Sequence, residues 1–209
     1  MAHVWRIYHT RRMDFNSWSL HLWCSCPRSV HSGWINPTEI RWRPLHNKEN
    51  YHSREIRKKD LRNDIALMKV YGKIKMNRNV RAIKLRKQPV AAGTTLALTG
   101  WGHINNQGNV PNKLQIMFYK SINNKECNKR LKGFNFAPID DKQLCVRGPD
   151  NKGACRGDSG GPLVASDGNN GVVQVGVVSW GTIPCAKNFP DVFASVSGYY
   201  DWIEKHMKG

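Results

Sequence analysis

The chain has 209 residues, 40 % hydrophobic and 10 % aromatic, enough for one buried core or two small lobes folding as a unit and too much for a wholly disordered chain. Its 18 glycines and few Ala-, Leu- or Glu-rich stretches disfavour a helical bundle or coiled coil, and no window approaches the ~18 consecutive apolar residues of a membrane-spanning helix. The formal charge of +18 is lopsided, +14 in residues 1–90 against +4 in the remainder; such a field draws polyanions (nucleic acid, heparin-like polymers), though from charge alone a solvated basic surface is the simpler expectation.

Residues 1–50 show no persistent helical or strand period. Five of the eight tryptophans (Trp5, Trp18, Trp23, Trp34 and Trp42) are scattered there among Arg, His and Ser. The opening Met1-Ala-His-Val-Trp-Arg6 is no signal peptide, because basic and polar residues interrupt every apolar run. From about Leu61 the pattern becomes orderly. Ile65–Val70 is an apolar run of strand length, and Val80–Leu85 nearly alternates as a half-buried strand does. Thr94–Thr99 continues the pattern and ends in Gly100-Trp101-Gly102, and the β-branched Val172–Val178 reads as a core strand. Turn signals separate these runs at Asn105–Gly108, Gly148–Asp150 and Asp167–Gly171. Many short strands with turns between them point to an antiparallel barrel or a sandwich. Tyr199–Met207 places Tyr199, Trp202, Ile203 and His206 on one helical face and predicts a short amphipathic helix docked on the sheet.

The six cysteines are Cys24, Cys26, Cys127, Cys145, Cys155 and Cys185. None sits in a C-x-x-C pair, and the irregular spacing of His21, Cys24, Cys26 and His31 does not make a zinc site, so no metal is expected. An even count in a Gly-rich, loop-rich chain points to an oxidising compartment.

The strongest signal is Gly157-Asp158-Ser159-Gly160-Gly161-Pro162-Leu163, preceded by Cys155 and followed by an apolar strand. A serine hydroxyl is a poor nucleophile until a base takes its proton and donors receive the oxyanion. Glycines on both sides let the backbone turn sharply and bare its N–H groups to a substrate carbonyl.

With this motif the sequence resembles the chymotrypsin-like serine endopeptidases, and among them the secreted chymotrypsins of insects. The resemblance runs from about residue 61 to 209. It is carried by Arg62–Leu67, Leu98–Gly102, Cys127, Cys145, Gly153–Val164, Val178–Gly181, Cys185, Pro190–Phe193 and Tyr200–Ile203, in matching order and spacing. It implies an all-β fold of two antiparallel six-stranded β-barrels with a short C-terminal helix, the first barrel incomplete. The protease domain would cover 51–209: the rest of the first barrel 51–90, the second 91–197, the helix 198–207. Residues 1–50 match poorly and are expected to be disordered or mistranslated.

The resemblance implies that Ser159 is the nucleophile, that Asp64 orients a histidine, and that the N–H groups of Gly157 and Ser159 form the oxyanion hole. Ser179, Trp180 and Gly181 would pair with an extended substrate backbone. Asp158 would receive a new N-terminal ammonium after zymogen cleavage, and the cystines would be Cys127–Cys145 and Cys155–Cys185. Gly153 would floor the pocket for the side chain before the cleaved bond. With Gly181 open, that favours large apolar side chains, while Asp191 near the floor keeps Lys and Arg in play. The implied partners are protein or peptide substrates and protein inhibitors, with a monomeric state, no cofactor, no membrane and an extracellular location.

The chain departs from the family pattern at the catalytic histidine. Trp18-Ser-Leu-His-Leu-Trp-Cys-Ser25 begins like the family's Trp-x-Leu-Thr-Ala-Ala-His-Cys, but Cys24 holds the histidine position and His21 lies three residues early. The family's mature start, Ile-Val-Gly-Gly, is also absent. Read one base later, the codons of Trp23-Cys-Ser-Cys26 can give Gly-Ala-His, and those of Arg41-Trp-Arg43 can give Gly-Gly-Asp. A shifted frame over residues 20–48 would account for the stray tryptophans and much of the basic excess. Against the endopeptidase stand two other readings: a pseudo-protease that binds peptides without cutting, and a polyanion-binding module that uses the basic half.

Overall fold

The β-rich pattern closes on itself. The computed structural model describes residues 5–8, 47–52, 61–70, 74, 76–77, 80–150, 152–168, 171–185 and 187–207. Six strands, β5 (Thr95–Gly100), β6 (Gln115–Ser121), β7 (Gln143–Arg147), β8 (Pro162–Ser166), β9 (Val172–Trp180) and β10 (Asp191–Ser195), pair antiparallel in the order β10-β7-β6-β5-β8-β9. Pairing of β10 with β9 completes the barrel. Closure leaves no open sheet edge among these six. The two-residue β4 (Lys84–Leu85) lies parallel to β9, so of the expected Val80–Leu85 strand only the last two residues are in the sheet.

Alternation explains which face each strand buries. In β5, Leu96, Leu98 and Gly100 point inward between more exposed neighbours. Leu96, Leu98, Tyr119, Leu144, Val146, Leu163, Val175 and Phe193 fill the barrel. Strand β10 is buried at every position because its second face is covered too. Each fully buried Leu, Val or Phe contributes about 1.5–3 kcal/mol.

A second cluster sits outside the barrel. Ile65 and Leu67 pack with Val177, Ala194, Val196, Tyr199 and Ile203. It ties β3 (Ala66–Val70) and the C-terminal helix α2 (Tyr200–Met207) to the backs of β9 and β10. Tyr199 and Ile203 are buried, with Trp202 and His206 half-buried, as the helical period predicts.

Strand β3 is the centre of a three-stranded antiparallel sheet with β1 (Trp5–Tyr8) and β2 (Asn47–His52) on either side. Of the two barrels implied, the described residues thus form one closed barrel and this smaller sheet. The remainder of residues 1–50 lies outside the described residues. Helix α1 (Asn124–Arg130) has no counterpart among the expected elements: its sequence is polar, and it is set by the Asn123 side chain, which accepts the Glu126 N–H at 2.8 Å as an N-cap.

Candidate active site

Ser159 sits in the turn that leads into β8 and is exposed. Three hydrogen bonds shape the turn: Asp158 N–H to Cys155 O at 3.0 Å, Gly161 N–H to Asp158 O at 2.8 Å, and Gly160 N–H to Val178 O at 3.0 Å. Gly157 and Gly160 hold φ of +96° and +79°, a region closed to most L-residues. A Cβ on Gly157 would stand 3.1 Å from Gly102 Cα, so the turn also lies hard against the neighbouring segment.

Asp158 clamps the turn from below. Its Oδ1 accepts the Gly102 N–H at 2.8 Å and its Oδ2 the Cys155 N–H at 3.0 Å. A Cβ at either Gly100 or Gly102 would overlap the Asp158 carboxyl. The Gly100-Trp101-Gly102 pattern is therefore a seat for this side chain.

Asp64 is only 2 % exposed, yet its Oδ2 accepts the Ser179 hydroxyl at 2.6 Å. The preceding Asn63 has φ +59°, which Asn tolerates better than most residues, and its N–H donates to the Tyr199 hydroxyl at 3.0 Å. Burial pushes the Tyr199 hydroxyl up to about 12, so it stays neutral while it accepts this bond. Ile65, fully buried on the other side, completes the anchoring. A continuous path follows: Ser159 is joined covalently to Gly160, Gly160 is hydrogen-bonded to Val178, and the adjacent Ser179 is bonded to Asp64. Both acidic and hydroxyl groups are thereby referenced to the C-terminal end of β9.

The expected substrate-binding residues gather beside this end. Ser179 and Trp180 are buried at the end of β9, and Gly181 is half-buried just beyond it. Cystine Cys155–Cys185 (Cα–Cα 5.5 Å) staples the Ser159 loop to the segment after Gly181. Cystine Cys127–Cys145 (Cα–Cα 6.2 Å) joins α1 to β7 and packs in one cluster with Trp180 and Val192. Gly153 is half-buried next to Ala154.

Asp191, the first residue of β10, is 8 % exposed. Its Oδ2 accepts the Tyr119 hydroxyl at 2.7 Å and the Ala154 N–H at 2.9 Å, and the same N–H lies 2.7 Å from the Tyr119 oxygen. Burial raises Asp191 from an ordinary 3.8 to about 6; the bonds from Tyr119 and Ala154 pull it back down, and the charge of Asp158 pushes it further up. Burial and the Asp191 charge push the Tyr119 hydroxyl far above its usual value, so it remains a donor. Tyr119 was not among the expected site residues: nothing in Gln115–Ser121 distinguishes it from an ordinary barrel aromatic. Tyr199 was expected only as a packing residue of the helical face.

Cys24 and His21, at and near the expected histidine position, lie outside the described residues, as do Cys26 and His31.

A closed six-stranded antiparallel barrel with a C-terminal helix, with the turn at Ser159 and the Asp64 side chain each hydrogen-bonded to the end of β9, has the architecture of the chymotrypsin fold. The family model described as Trypsin matches residues 36–203, and the chain belongs to that family. It is 41 % identical over 160 residues to chymotrypsin-2 of the hornet Vespa crabro, covering 76 % of this chain and 66 % of that protein. It is 40 % identical over 154 residues to kallikrein-11 of Mus musculus, covering 72 % and 52 %. In fold it is similar to neuropsin, a serine protease expressed in the limbic system of mouse brain: TM-score 0.69, 28 % identity, 78 % of this chain and 71 % of that one. The chain thus spans just under two thirds of the hornet protein's length and about half of the mouse kallikrein's.

Proposed function

We propose that this protein is a serine endopeptidase that cleaves peptide bonds through an acyl-enzyme on Ser159. The observation that carries the reading is the path from the exposed Ser159 turn through Gly160, Val178 and Ser179 to buried Asp64. In this reading the Ser159 Oγ attacks the scissile carbonyl as an imidazole takes its proton. The Gly157 and Ser159 N–H groups receive the oxyanion. Collapse expels the amine, and water then releases the acyl group. Asp64 orients the imidazole and stabilises its charged form, and Ser179 holds Asp64. Asp158, already bonded to two backbone N–H groups, is the receiver of the N-terminal ammonium on activation.

The extended segment Ser179-Trp180-Gly181 pairs with the substrate backbone. Gly153 and Gly181 leave room for a large side chain before the cleaved bond, so Leu and aromatic residues are the preferred substrates. Two cystines support an extracellular site of action.

Cys24 at the aligned histidine position favours a second reading, a peptide binder that does not cut. Losing one member of the catalytic group costs on the order of 10⁴–10⁶-fold in rate. Labelling with a fluorophosphonate, which needs an activated serine, separates the two. Covalent modification of Ser159 supports the enzyme; an unlabelled chain that still binds peptides supports the second reading.

A further inference from the structure

Helix α1 carries a basic face that the fold itself does not call for. Lys125, Lys129 and Lys132 recur at the spacing of one helical side, and all three are exposed. The opposite side, Cys127 and Leu131, is buried in one cluster with Trp180. One flank between them is clamped: Asn128 Oδ1 accepts the Ile139 N–H at 2.8 Å, and Asn124 Nδ2 donates to Asp141 Oδ1 at 3.3 Å. The other flank is closed on itself by the Arg130–Glu126 ion pair at 2.9 Å. Glu126, the one acid of the helix, is engaged there, and among the described residues none of the three lysines forms an ion pair. Local energetics disfavour the arrangement. Lys125 stands in the first turn, where the helix dipole repels a cation, and like charges four residues apart repel each other. An acidic partner removes both penalties.

We propose that this face is an exosite, away from the Ser159 turn, for an acidic, extended segment of the protein substrate. That the segment's owner is the substrate rests on the endopeptidase reading above. Lys125 and Lys129 lie ~6 Å apart along the helix axis, close to the ~6.7 Å between alternate residues of an extended chain, so carboxylates at every second position meet successive lysines. The helix is fixed to the proposed substrate-pairing segment from below, through Trp180. Beyond Gly133 the exposed Phe136 also places its ring 4.5 Å from the Trp180 ring. The two surfaces therefore keep a constant relation, and a chain that engages both binds with the advantage of linked sites. A long polyanion is the poorer fit. It gains from basic residues anywhere on a chain of net charge +18, whereas this stripe is one short helix long and is bounded by Asp141 and Glu126.

The test is fluorescence anisotropy of a labelled peptide with glutamate at every second position, which requires no turnover. It compares the unaltered protein with two triple variants that shift the net charge equally. One is Lys125→Glu, Lys129→Glu, Lys132→Glu on the helix; the other is Lys84→Glu, Lys152→Glu, Lys205→Glu at exposed sites elsewhere. The expected loss of affinity is about tenfold or more in the helix variant and about twofold or less in the control. Equal losses in the two variants overturn the proposal, because overall charge and not the helix face then holds the peptide. Absence of binding to the unaltered protein overturns it as well. A heparin fragment should weaken alike in both triples; a heparin loss confined to the helix variant assigns the face to polyanions and overturns the peptide reading. Should the helix triple fail to fold, Lys125→Gln with Lys129→Gln puts the same question, with an expected loss of about threefold. Fluorophosphonate labelling of Ser159 in the unaltered protein decides the endopeptidase reading separately, since that probe carries no acidic segment.

Discussion

The Ser179 hydroxyl donates a 2.6 Å hydrogen bond to Asp64 Oδ2 across 115 positions of the chain. It joins the segment that precedes β3 to the end of β9, one strand of the closed barrel. Because Gly160 is bonded to Val178, the same strand end also holds the turn at Ser159. Misplacing one group therefore disturbs the other.

Replacing Ser179 by alanine removes one donor from a buried carboxylate. Stability should fall by about 1–3 kcal/mol, the cost of a buried charge short of a hydrogen bond, as read from the urea midpoint. Fluorophosphonate labelling of Ser159 should slow at the same time, because Asp64 loses its fixed orientation. An unchanged midpoint together with an unchanged labelling rate would show that the bond does neither.

Gly157→Ala forces a side chain onto φ +96° and against Gly102 Cα. The conformational term alone is about 1–2 kcal/mol. The turn should relax away from the geometry that bares its N–H groups, so labelling should drop far more than stability does. Gly93→Ala serves as the control, since its φ is also positive at +83° but nothing lies within 4 Å of its added Cβ. It should cost stability alone.

Asp191 makes stability depend on pH. Its folded value of about 6 lies above the ordinary 3.8, so as pH rises the unfolded chain gives up this proton first. The folded state is favoured fully below about 4, loses that advantage as pH rises to 6, and stays at the lower level above it. Asp191→Asn, which keeps an oxygen for Tyr119 and Ala154, removes this dependence. Relative to the unaltered protein it should gain up to about 3 kcal/mol between pH 4 and 7. Denaturant melts at both pH values check this, and a difference that does not change with pH would refute it.

Opening the Cys155–Cys185 cystine by a Cys155→Ser, Cys185→Ser pair frees a 30-residue separation in the unfolded chain. The expected loss is about 3 kcal/mol. Binding of benzamide, a neutral aromatic probe of the proposed pocket, should weaken as well, since this link ties the Ser159 loop to the segment beyond Gly181. The corresponding Cys127–Cys145 pair should lose comparable stability and weaken benzamide binding less, since it meets the substrate-pairing segment only through packing around Trp180.

What could be seen in the residues alone was whatever neighbours in the chain impose on each other. The turn around Ser159 is written in its glycines, because a positive φ and a close backbone approach are local demands. Strand β5 and helix α2 announce themselves because each buries one face, so their apolar residues recur at a regular interval. Strands β7 and β10 lack that signature, since burial on both faces erases alternation. Helix α1 is too short and polar to show a period. Asp64 and Asp191 were both picked out, but their opposite circumstances could not be told apart from sequence. One faces a hydroxyl brought by β9, the other a tyrosine brought by β6. A carboxyl's proton affinity depends on which distant strands surround it with donors and how much water they exclude, and those neighbours meet only when the barrel closes.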